Sequence, residues 1–163
     1  MSLSSRRTAL TFLGGALLAG CGFQLRQPPR LSFKSIALTG FARRSPLADA
    51  FKRELEKQVQ VLESPEKAEV VLQALDDIRE KSVVASTSAA QVREFQLRLK
   101  FNFRAHTPGG RELIPRAELL LSRDMSYSET QALSKEAEEG ELYREMHADV
   151  VAQVMRRLAA VRV

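Results

Sequence analysis

The sequence predicts an α+β fold: a two-layer sandwich in which two helices cover one face of a four-stranded mixed sheet, in the order β-α-β-β-β-α. Three patterns carry that prediction. Leu47, Phe51, Leu55 and Val59 recur every four residues, which lays one apolar stripe along a helix. Leu142, Met146, Val150, Val154 and Leu158 repeat the pattern near the end of the chain. Between them, Phe95, Leu97, Leu99, Phe101 and Phe103 alternate with Gln96, Arg98, Lys100, Asn102 and Arg104. That period of two marks an antiparallel strand with one dry and one wet face. Two apolar stripes and one apolar sheet face bury one another.

The elements follow in order. Residues 1–20 read as a leader rather than fold. Arg6 and Arg7 give a positive start, and residues 8–18 are apolar and uncharged. That run is too short to cross the roughly 30 Å of a bilayer core. It ends in Leu18-Ala19-Gly20-Cys21, an aliphatic residue, two small residues and the chain's single Cys. This resembles a bacterial lipobox, which implies a signal peptide cleaved before Cys21, diacylglycerol on its sulfur and acylation, as by palmitate, of its new amine. Several acyl chains make a stable membrane anchor where one is marginal. Gly22 in place of Asp points to the outer membrane. Ser5-Arg6-Arg7 leaves export by the general or the twin-arginine route open.

Residues 21–31, with Pro28-Pro29, read as a lipidated tether, and 32–163 as a single domain. The stretch 32–39 is a short strand ended by Gly40. Ser45-Pro46 is a helix start, Ser as cap and Pro at the first helical position, and the helix runs to about Gln58. The stretch 68–84 is the second strand region, with Val70, Leu72, Ala74 and Ile78 on one parity and Gln73, Asp77 and Arg79 on the other. Residues 85–90 form a loop or a hairpin tip, and Thr107-Pro108-Gly109-Gly110 a turn. Leu113, Ala117, Leu119 and Leu121 continue as the last strand, where Pro115 argues for an edge or a bulge. Residues 125–132 connect to the final helix. Its early turns carry Glu136, Glu138 and Glu139, and Arg156 and Arg157 suit its C-terminal end. A β-α-β start requires a right-handed crossover to a parallel strand.

Composition narrows the function. The 163 residues are 28% charged and 44% hydrophobic, as in a globular chain. Removing the leader lowers the net charge from +5 to +3, because only Arg6 and Arg7 are lost with it. One Cys and two His exclude a disulfide framework and a Cys-rich zinc site. Without Trp and with 6% aromatics, base-stacking platforms are scarce, which argues against nucleic acid. Neither His106 nor His147 neighbours a nucleophile, no His-Glu-x-x-His or Gly-x-Ser-x-Gly occurs, and Asp76 and Asp77 point to opposite faces of a strand. The sequence implies no enzyme, metal or cofactor.

An ordered series of segments resembles one family. It comprises Cys21-Gly-Phe-Gln-Leu-Arg26, Glu94-Phe-Gln-Leu97, Pro115, Arg123, Gln131-Ala-Leu-Ser-Lys-Glu136, Arg144-Glu-Met146 and Arg156-Arg-Leu158. The chain is similar to the LPS-assembly lipoproteins of the LptE (RlpB) family of Gram-negative outer membranes. The resemblance implies an outer-membrane lipoprotein that plugs the LptD-type β-barrel and assists lipopolysaccharide insertion at the cell surface. Its partners would be that barrel, lipopolysaccharide and the membrane. The chain stops at Val163, where some relatives carry a polar tail.

The predicted topology gathers three connections, 40–45, about 80–92 and 125–134, at one end. That end would collect Arg43, Arg44, Arg79, Lys81, Arg93, Arg123 and Lys135. A phosphate-bearing lipid suits such a cluster. Lys135 leads the candidate lipopolysaccharide contacts, with Arg93, Arg123, Lys81 and Arg79. The polar strand face of Arg98, Lys100 and Arg104 is either a second anion surface or a solvated face. Two other readings stay open: a lipoprotein carrying a lipid or amphiphile in an apolar pocket, and a scaffold of another envelope complex.

Overall fold

A computed structural model describes residues 30–163; the leader, Cys21 and most of the tether lie outside the described residues. The fold is the expected α+β sandwich, with one more strand. Strand β1 is Ser35–Thr39, helix α1 is Pro46–Leu55, β2 is Gln60–Leu62, β3 is Val70–Ser86, β4 is Val92–His106, β5 is Glu112–Ser126 and helix α2 is Ala132–Ala159. Single 3-10 turns precede β3 and α2. The sheet order is β2-β1-β3-β4-β5. β1 runs parallel to both β2 and β3, and β3, β4 and β5 form antiparallel hairpins.

The extra strand β2 is three residues long, so it shows no readable alternation. It follows directly from α1, which stops at Leu55 rather than Gln58. Ser45 caps α1, its Oγ accepting from the Ala48 N–H at 3.2 Å.

The core sits under α1 and the second half of α2. Leu47, Phe51 and Leu55 meet Met146, Val150, Val154 and Leu158 over Leu97, Leu99, Phe101 and Phe103. Phe41, Phe51, Phe101 and Phe103 form a chain of rings with centroids 5.3–5.9 Å apart. His147 and Tyr143, which the sequence reading left outside the stripe, are buried in it.

Two irregularities change which residues face the helices. Between Ala74 and Asp76 the register to β4 slips, with Leu75 as the extra residue. Beyond that bulge Asp77, Arg79 and Lys81 point to the helix face and Ile78 points away, the reverse of the expected parity for Ile78, Asp77 and Arg79. A bulge shifts the side-chain alternation by one step. At Pro115 and Arg116, β5 bulges likewise, so Ile114 rather than Leu113 enters the core. Pro115 is therefore both on an edge strand and at a bulge.

Strand length corrects the expected clustering of loops. β1 ends opposite Gln73, while β3 continues to Ser86, roughly 40 Å further at about 3.3 Å per residue. Residues 40–45 thus lie midway along the sheet, and Arg43 and Arg44 are remote from the hairpin tip. Gly40 sets this level. Its φ is +77°, and a Cβ there would lie 2.1 Å from the Ala74 carbonyl oxygen, so only glycine lets the chain turn away against the bulge. The base holds the 107–110 turn and the start of the chain, where the Ser32 Oγ donates to the Val161 carbonyl at 2.6 Å.

Candidate functional site

Above the level of Gly40 the sheet narrows to a three-stranded blade of β3, β4 and β5, whose lower part, at Leu97, Leu99, Phe101 and Leu119, belongs to the helix-covered core. Its tip carries no charged residue from 82 to 92, and Val83 and Val84 are 52% and 49% exposed. Leu133, in the first turn of α2, is 84% exposed. Phe95 and Tyr127 meet edge to face at 5.1 Å below the tip, and the Tyr127 N–H donates to the Arg93 carbonyl at 2.7 Å.

Four of the five candidate cations lie on this blade and Lys135 in the first turn of α2 beside it, but they do not meet at one point. Lys135 is held by the Ser126 hydroxyl at 3.1 Å and by Glu138 at 2.8 Å, and its side chain is only 13% exposed. Arg93 lines a small cleft of about 150 Å³ with Ser128 and Glu129. Lys81, Leu97 and Arg123 form one row across three strands. Lys81 pairs with Glu139 of α2 at 2.6 Å, its ammonium 4.2 Å from the centre of the Phe95 ring. Arg123 pairs with Asp149 at 2.9 Å. Arg79 lies two residues below Lys81 and donates to the His147 ring at 3.2 Å while stacking over Tyr143 at 5.1 Å.

A polar seam joins base and blade here. Asp77 accepts from the Ser45 Oγ at 2.7 Å, so the cap of α1 is tied to β3. His147, 4% exposed, has its pKa pushed down to about 4, by burial first and by the Arg79 charge second, with Asp77 opposing. It is neutral at ordinary pH and accepts from Arg79. Burial, then Glu139, raises the Tyr143 pKa, so its phenol stays protonated and donates to the Glu80 carbonyl at 2.9 Å. The sequence held one signal for these two residues: both fall on the buried face of α2, three or four residues from Met146 and Val150.

The wet face of the sheet is internally paired. Lys100 meets Glu118 at 3.5 Å, Arg104 donates to Gln73 at 2.7 Å, and Arg98 donates to Gln96 at 2.8 Å. Asp76, on this face, takes a hydrogen bond from Asn102 at 2.6 Å, while Asp77 is on the other, so the two carboxylates do not converge. Among the described residues no group of three metal-ligating side chains occurs. No described helix is long and apolar enough to cross a membrane.

The described residues form a small α+β domain whose antiparallel blade reaches well beyond β1, with cations spaced along it and at the start of α2, a surface suited to binding or assembly. The chain belongs to the LptE lipopolysaccharide-assembly family, whose model matches residues 33–158. The solution structure of an uncharacterized lipoprotein B from Nitrosomonas europaea is 31% identical with a TM-score of 0.72, covering 85% of this chain and 91% of that one. The rare lipoprotein B from Shewanella oneidensis is 20% identical with a TM-score of 0.65, covering 78% and 95%. A minor lipoprotein from Acinetobacter baumannii is 22% identical, again with a TM-score of 0.65, covering 80% and 93%. The last two likenesses concern fold alone. No curated protein matches the chain.

Proposed function

We propose that this protein is an outer-membrane lipoprotein, anchored through acylated Cys21, that plugs an LptD-type β-barrel and assists lipopolysaccharide insertion without catalysing a reaction. The observation that carries the reading is the blade that reaches beyond β1 to an exposed tip. Its outer face carries paired polar groups around exposed Ile78 and Leu120, suited to the wall of a barrel, and its tip is charge-free with Val83 and Val84 exposed. An apolar surface kept exposed on a domain with a filled core marks a contact site.

Lipopolysaccharide phosphates are met at the tip end, by Lys135 and Arg93 first. Lys135 is shielded from solvent, and a shielded cation binds phosphate more strongly than a fully solvated one. Lys81 and Arg123, paired with carboxylates as Lys135 is, are more solvated and rank behind. The amphiphile-carrier reading wants a cavity between the helix stripes, whereas those stripes close on each other and on the sheet.

Affinity purification of the full-length chain from detergent-solubilised outer membranes tests this. A near-stoichiometric large β-barrel with bound lipopolysaccharide is expected. Lys135→Glu with Arg93→Glu lowers the lipopolysaccharide recovered while the barrel stays bound. A clean monomer contradicts the plug reading, and unchanged lipopolysaccharide in the double variant contradicts the phosphate contact.

A further inference from the structure

The upper part of β3 has a side that no strand among the described residues takes, touched there by the Tyr143 hydroxyl at Glu80. β1 pairs with it only from Val70 to Gln73, and among the described residues no other strand takes that side. Register with β4 then runs unbroken from Asp76 to Val83 between two irregularities, a straight edge of roughly 26 Å. Free N–H and C=O groups on such an edge are a template for another strand. Tyr143 already donates to the Glu80 carbonyl, which shows that Glu80 presents its backbone groups away from β4. Ser82, of the same parity, presents its N–H to the same side.

Beside this edge lies a groove of about 660 Å³ between β3 and α2. Arg79 and Lys81 form its floor, Gly140, Tyr143 and Arg144 its wall, and Pro46 closes its lower end. A strand added to the edge directs alternate side chains into that groove, level with Arg79 and Lys81. Gly140 lines the groove, and a Cβ there would meet nothing within 4 Å, so a large side chain at this position has room to fill it.

Charge narrows the occupant. Glu136 and Glu139 line the groove with the cations; Lys81 is paired with Glu139, and Arg144 with Glu141. Arg79, on the floor, meets the neutral His147 and the Tyr143 ring and has no carboxylate within ion-pair distance among the described residues. We propose that the free edge of β3 from Asp76 to Val83 binds an extended segment of a partner protein by strand addition, with an Asp or Glu side chain of that segment reaching Arg79. A second copy is a poor fit. Two edges paired about Glu80 would set Glu80 against Glu80 and Arg79 against Lys81, and like charges opposed across strands are destabilising. Ser32, near the start of the described residues, lies at the far end, beside Val161.

Backbone hydrogen exchange on the full-length lipoprotein in native outer-membrane vesicles, against the same chain purified alone in detergent, tests the proposal. Exchange in the Asp76–Val83 segment is expected to slow by roughly tenfold or more in vesicles, as for amides that gain a strand partner. Gly140→Leu fills the groove, Ser82→Pro removes an edge donor while sparing the β4 ladder, and Arg79→Glu repels the acidic side chain. Each restores fast exchange, whereas Arg79→Lys retains protection. Equal exchange in both preparations overturns the proposal. So does protection that survives Gly140→Leu and Ser82→Pro, or protection that lipid extraction alone abolishes. Barrel recovery from the same vesicles is scored separately. A recovered barrel with an unprotected edge sinks only the edge proposal, and a protected edge without a barrel sinks only the plug reading.

Discussion

The sheet's two hairpin turns follow one hydrogen-bonding plan, and the residue in the left-handed position differs between them. At the base, the Thr107 N–H donates to the Arg111 carbonyl at 2.9 Å, the Gly110 N–H donates to Thr107 at 2.9 Å, and the Thr107 Oγ1 accepts from the Arg111 N–H at 3.1 Å. At the tip, Thr87, Ala90 and Gln91 repeat those bonds at 2.8, 3.0 and 3.2 Å. The fourth position needs a left-handed backbone. The base places Gly110 there, at φ +86°, and the tip places Ala90, at φ +61°. An L-residue in that region is strained by about 1–2 kcal/mol. The same contrast runs through the surroundings. The base is filled with Phe rings and closed by two helices, while the tip keeps Val83 and Val84 in solvent. The base is shaped for stability, and the tip holds strain and apolar exposure that stability alone would remove.

The largest predicted effect belongs to the base. Phe51→Ala empties a fully buried site between Phe41 and Phe101, and should lower stability by about 3–5 kcal/mol in denaturant titration. The seam comes next. The folded His147 pKa of about 4 lies below its ordinary 6.5. The unfolded chain therefore takes up a proton as pH falls through 6.5, while the folded chain does so only near 4. Stability falls across that window, by on the order of 2–3 kcal/mol, and levels off below it. Thermal unfolding between pH 7 and 4 should show this slope, and His147→Gln should flatten it. At the tip the sign reverses: Ala90→Gly relieves the left-handed strain and should raise stability by about 1 kcal/mol. Val84→Ser should change stability by under about 0.5 kcal/mol, because its side chain is half exposed already.

Legibility in the sequence followed the same division. The α1 stripe, the alternation of β4 and the stripe of α2 were readable because many residues repeat one period. The bulge at Leu75 was not, since a single inserted residue leaves no pattern, and it moved Asp77 and Arg79 onto the helix face. β2 was too short to alternate. The blade's reach beyond β1 depends on where Gly40 meets Ala74, a contact between distant parts of the chain. The cations at Lys135, Arg93, Arg123, Lys81 and Arg79 were readable as residues. The row that links Lys81 to Arg123, and the groove that Arg79 shares with His147, required the register.

In the proposed plug, the tip engages the barrel while the base only supports it. The most direct test pairs two full-length variants, Val83→Glu with Val84→Glu at the tip and Phe51→Val at the base. Each is scored for thermal unfolding and for barrel recovered from detergent-solubilised membranes. A crossed result is expected: the tip variant loses the barrel with its unfolding temperature unchanged, and the base variant unfolds earlier yet retains the barrel well below that temperature. A tip variant that still recovers the barrel in full would contradict a tip contact.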